Sequence, residues 1–108
     1  MQRSEGVVSR ELEALVAKYP QLIREMPPVF NSHQFILHLA RNNQAGYVEA
    51  LYAFRGRLHK GYPSPFKALH TRLAMELAKH PTLIKRDHVV QSTDIFGQGS
   101  RAVLWRRI

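Results

Sequence analysis

The chain has 108 residues, of which 44% are apolar, with a formal net charge of +8 and no cysteine. That length suits one domain closing a single core, the apolar share excludes general disorder, and the lack of cysteine removes disulfides, thiolate metal ligands and a thiol nucleophile. No apolar run reaches the ~18–20 residues that span a bilayer and no signal-peptide core follows the opening Met1-Gln2-Arg3-Ser4, so an intracellular protein without a membrane role is expected.

Ser9 is a plausible N-cap for a first helix, because Leu12, Leu15, Val16 and Tyr19 recur at helical spacing and Glu11 and Glu13 sit near its positive end. Pro20 stops or bends it, and a short segment carrying Leu22, Ile23 and Met26 follows. Pro27-Pro28 then forces an extended stretch. This predicts a boundary between an N-terminal helical appendage, 1–28, and a main body, 29–108. The appendage's apolar face is expected to dock on the body or to pair two chains as a homodimer.

The next helix begins at Asn31 or Ser32. Asn31 and Gln34 have the spacing of a capping box, and Phe35, Ile36, Leu39 and Ala40 form the buried stripe up to Asn42-Asn43. Another helix is expected from about Gln44 to Phe54, with Val48, Leu51 and Tyr52 facing inward. A basic loop, Arg55 to Tyr62, leads to the clearest helix start in the chain, with Ser64 as N-cap and Pro65 in the first turn. Phe66, Leu69, Leu73 and Leu77 take its inner face, and Lys67, Thr71, Arg72 and Lys79 fall outside with Ala68, Met75 and Ala78. His80-Pro81 ends it.

Beyond Pro81 the helical period gives way to β-formers: Val89, Val90, Thr93 and Ile95, then Phe96-Gly97-Gln98-Gly99-Ser100, then Ala102 to Ile108. This pattern predicts a β-hairpin. Alternation places Arg101, Val103, Trp105 and Arg107 on one face and Ala102, Leu104, Arg106 and Ile108 on the other. The fold class is therefore α+β and mainly helical: a three-helix core, a C-terminal hairpin and an extra N-terminal helix.

The excess charge is confined to the second half. Residues 1–54 carry five basic and five acidic side chains, whereas residues 55–108 carry eleven and three. A basic helix and hairpin together suit a polyanion. The order of elements, with Tyr47-Val48 and Leu51, the Ser64-Pro65-Phe66 helix start and Gly97-Gln98-Gly99-Ser100-Arg101, resembles a winged-helix DNA-binding domain over roughly Asn31 to Arg107. The resemblance implies a recognition helix at 65–79 and a wing at 97–101. Independently, a helix enters the major groove only with a polar, unbulky outer face, a condition met by Lys67, Thr71 and Arg72 beside Ala68, with Lys79 further along. Gln98, Ser100 and Arg101 are placed to approach a phosphate or a minor groove, and Arg57 and Lys60 to add sequence-independent attraction. The partner expected is double-stranded DNA, bound by a small transcriptional regulator or accessory factor. The alternatives are a protein-interaction module on the same scaffold and an RNA or single-strand binder.

The chemistry of catalysis is not signalled. His33 and His38 miss the i, i+4 spacing of a helical metal pair, and no phosphate-cradling glycine loop or Gly-x-Ser-x-Gly elbow is present. No enzyme activity, cofactor, metal or small-molecule substrate is expected. His70 is expected to pack or cap, Asp94 to pin the hairpin, and Trp105 to belong to the core.

Overall fold

The computed structural model describes residues 5–55 and 64–108, which form five helices and a three-stranded antiparallel sheet, an α+β arrangement. Helix α1 spans Glu5–Val16 and α2 spans Tyr19–Arg24. Ser9 therefore lies within α1 and does not cap it. Pro20 sits in the first turn of α2, where its missing N–H breaks no helical bond.

Strand β1, Val29–Asn31, follows directly on Pro27-Pro28, and α3, Ser32–Asn42, begins at once. Asn31 closes the expected capping box: its side chain accepts from the Gln34 backbone N–H at 2.9 Å, and its own N–H donates to Gln34 Oε1 at 2.8 Å. Asn43 alone separates α3 from α4, Gln44–Phe54. Helix α5, Pro65–Leu77, carries the expected cap, with the Lys67 N–H donating to Ser64 Oγ at 3.1 Å.

Strands β2, Ile84–Thr93, and β3, Gly99–Arg107, form the hairpin, and β3 lies in the middle of the order β1-β3-β2. Trp105 of β3 is paired with Phe30 on one side and with Arg86 on the other, while Val89 pairs with Val103. The shift between those last two pairs is a bulge at Asp87-His88. β2 starts five residues before the expected Val89, because Lys85-Arg86-Asp87-His88 carries little β-propensity and is held in the ladder by its partner strand.

One buried cluster joins all of these elements. Leu12, Leu15, Tyr19, Leu22, Ile23 and Met26 belong to the same core as Phe30, Phe35, Leu69, Leu73 and Trp105. The apolar face of residues 1–28 is thus docked on the body, and side chains on both sides of Pro27-Pro28 share one core. The apolar face of α1, offered above for pairing two chains, is buried within its own chain: Leu12 and Leu15 are 2% and 1% exposed.

Two inward faces differ from expectation. On α4 the buried residues are Ala50 and Phe54, while Val48 and Tyr52 are 58% and 61% exposed. The cause is Gly46, where a Cβ would stand 3.1 Å from Leu15 Cδ2; α1 approaches over the small residues of α4, which a search for large apolar side chains passes over. On α5, Leu69, Leu73 and Leu77 are buried as expected. Phe66 is exposed and Ala68 is buried. Phe66 sits in the first turn, where its neighbour is the hairpin turn instead of the core.

Candidate functional site

The hairpin turn is built around Asp94. Its carboxylate accepts from the backbone N–H groups of Phe96 at 2.9 Å and Gln98 at 3.0 Å, and its own N–H donates to the Gln98 carbonyl. The Gln98 N–H, ahead of that of Phe96, holds the carboxyl below the usual carboxylate range. Gly97 has φ +86°, a conformation that disfavours a side chain. Asp94 pins the turn, as its position in the sequence suggested.

This turn does not project alone into solvent. Phe96 meets Phe66 edge to face at 4.8 Å between centroids and lies parallel to His70 at 6.0 Å. Burial pushes His70 down to about 4, so the ring is neutral near pH 7, and its Nε2 shares a 2.6 Å hydrogen bond with the Tyr47 hydroxyl. Tyr47 of α4, His70 of α5 and Phe96 of the hairpin are thereby linked in one cluster.

Along α5 the row Phe66, His70, Ala74 and Ala78 follows the i, i+4 ridge of the helix. Its aromatic end touches the hairpin turn. Its alanine end does not fill the space in front of it, and a cleft of about 580 Å³ opens there between α5 and the hairpin. Ala74, Met75 and Ala78 form the helix wall, and Arg86, Val89, Arg101 and Val103 the opposite one. Trp105 and Ser32 close the inner end, tied by a 3.0 Å hydrogen bond from Trp105 Nε1 to Ser32 Oγ. Among the described residues, two arginines line the cleft and no acidic residue does.

The residues singled out from the sequence fall into three groups. Lys67 is exposed at the start of α5 and Thr71 is half-buried one turn on; Arg101 is exposed on β3 and lines the cleft. Gln98 is exposed in the turn, and Ser100 is half-buried and paired with Ser92. Arg72 and Lys79, by contrast, converge on Glu76. Arg72 Nε lies 3.0 Å and Lys79 Nζ 3.1 Å from Glu76 Oε2, and the Glu76 side chain is 7% exposed. Burial pushes the Glu76 carboxyl up, but the hydrogen bonds from Arg72 and Lys79 outweigh it and the net displacement is downward. The single carboxylate offsets one of the two positive charges. Arg57 and Lys60 lie outside the described residues.

Arg86, Met75 and Val89 were not found from the sequence. Arg86 is hidden in a run that reads as turn chemistry, and only its pairing with Trp105 brings it to the cleft. The other hairpin arginines are engaged elsewhere: Arg106 Nε donates to Asp87 at 2.7 Å, and Arg107 Nη1 to the Met26 carbonyl at 2.6 Å. Among the described residues, Lys67, Lys85, Arg86 and Arg101 form no ion pair, and no three His, Asp or Glu side chains converge as a metal site. No helix there is long and apolar enough to cross a membrane. Comparison with protein-family models, curated proteins and solved structures finds no match.

Proposed function

We propose that this chain is a non-enzymatic DNA-binding protein of winged-helix type, in which α5 serves as the recognition helix and the β2-β3 hairpin as the wing. The strand order β1-β3-β2 and the hairpin following α5 are in keeping with that arrangement. The observation that carries the reading is a group of cations on α5 and the hairpin, Lys67, Lys85, Arg86 and Arg101, that form no ion pair among the described residues, in a chain of net charge +8. Lys67 and Thr71 face the base edges, and the hairpin cations hold phosphates. Arg72 and Lys79 are not assigned to DNA, since Glu76 holds both.

A salt titration of duplex binding tests this. The logarithm of affinity should fall linearly with the logarithm of salt, and each of Lys67→Gln, Arg86→Gln and Arg101→Gln should lower the slope by about one unit. A salt-insensitive or absent duplex affinity at low ionic strength would reject the reading. A protein-partner reading then gains from Val48 and Tyr52, which stand exposed one turn apart on α4.

A further inference from the structure

The cleft between α5 and the hairpin asks for more than a duplex offers. Stacked base pairs present phosphates, sugars and groove edges, whereas this cleft is walled by Ala74, Met75, Ala78, Val89 and Val103 and ends on the indole of Trp105. Its about 580 Å³ lies in the size range of small-ligand sites. Arg86 stands opposite Trp105 in the hairpin register, and Arg101 lies four residues further along β3, a span of about 13 Å at ~3.3 Å per residue. An apolar recess with two arginines along one wall, which form no ion pair among the described residues, and with no acidic residue among the described ones that line it, matches a strand whose charge runs along its backbone and whose flat rings turn inward.

We infer that the cleft receives an unpaired nucleobase, with Arg86 and Arg101 holding the flanking phosphates, so that the ligand includes a single-stranded segment. This rests on the nucleic-acid reading above and adds to it a single-stranded site that shares Arg86 and Arg101 with the phosphate contacts. A purine or pyrimidine is accepted here for its ring face, so recognition is tolerant of base identity and sensitive to whether a base is present.

The test compares three probes with the full chain: an oligothymidylate of about 12 nucleotides, an abasic strand of the same length, and the duplex of that oligothymidylate with oligoadenylate. The first two carry the same phosphates and differ only in the bases. The oligothymidylate should bind at least about tenfold more tightly than the abasic strand, by the usual contribution of base stacking. It should also change the fluorescence of Trp105, the only tryptophan of the chain, and the abasic strand should not. Ala78→Phe, at an exposed position on the helix wall, should remove the preference for the oligothymidylate over the abasic strand and the fluorescence change. The two-strand comparison on the unmodified protein needs no variant to fold. Equal affinity for both strands, with no change at Trp105, would overturn the inference while salt-dependent duplex binding still stood. Failure of all three probes to bind would overturn the nucleic-acid reading with it. An acidic peptide that changes the Trp105 signal where no strand does would assign the cleft to a protein partner instead.

Discussion

The Tyr19 hydroxyl donates a 2.7 Å hydrogen bond to the backbone carbonyl of Leu73, fastening the start of α2 to the middle of α5 across the core. Tyr19 is fully buried, and burial raises its ionisation well above the ordinary tyrosine value, so it remains a donor throughout the useful pH range. Its ring also meets Phe35 edge to face at 4.8 Å and stacks with His80 at 5.4 Å.

Tyr19→Phe keeps those ring contacts and deletes only the hydrogen bond. A loss of about 1–2 kcal/mol is expected, the cost of leaving a buried acceptor short of one partner. Urea denaturation of the two proteins measures it, and an unchanged midpoint would show that the bond contributes nothing.

Leu73→Ala should cost on the order of 2–5 kcal/mol, because the side chain is fully buried where α5 meets the rest of the core. Removal of residues 1–28 should abolish cooperative unfolding altogether, since Leu12, Leu15, Tyr19, Leu22 and Ile23 would leave one face of that core bare. A truncated chain that melts like the whole one would restore the division at Pro27-Pro28.

Stability should fall as pH drops from about 6.5 to about 4. The unfolded chain protonates His70 near the ordinary value of 6.5, while the folded protein resists until about 4; between these values the unfolded state binds the extra proton. The contribution is complete above 6.5 and lost through that window. Solvent reaches part of the ring, so the effect is on the order of 1–2 kcal/mol. Denaturant melts at a series of pH values should show the slope in the native protein and a flatter one in His70→Gln.

Arg72→Gln and Arg101→Gln separate structure from binding. Glu76 loses a partner in the first, so about 1–2 kcal/mol of stability should go while the salt slope of duplex binding stays the same. Arg101 has no acidic partner among the described residues, and its removal should lower the slope by about one unit with stability intact. The reverse outcome, a binding defect without destabilisation at Arg72, would mean that this guanidinium leaves Glu76 for the ligand.

Local chemistry was legible where one residue type settles one geometry. Asn31 with Gln34, Ser64 with Pro65, and Asp94 with Gly97 each bring their own hydrogen-bond partners or dihedral angles within a few residues. Tertiary facts were not local. β1 is three residues long and exists because β3 pairs with it, and the inner face of α4 was set by Leu15 approaching Gly46. Arg72 counted as a free cation in the sequence because nothing there distinguishes a solvated Glu76 from a buried one.

The bulge at Asp87-His88 also bears on how the molecule behaves in company. β2 is an outer strand of ten residues with no strand paired on its far side among the described residues, and a long, flat, open strand of that kind recruits copies of itself. Here the pleat is broken in mid-strand, beside Lys85 and Arg86, so a second β2 brought alongside would meet both a kink and like charge. The irregularity that separates the Arg86 and Val89 pairs also guards the sheet against growth from its open side.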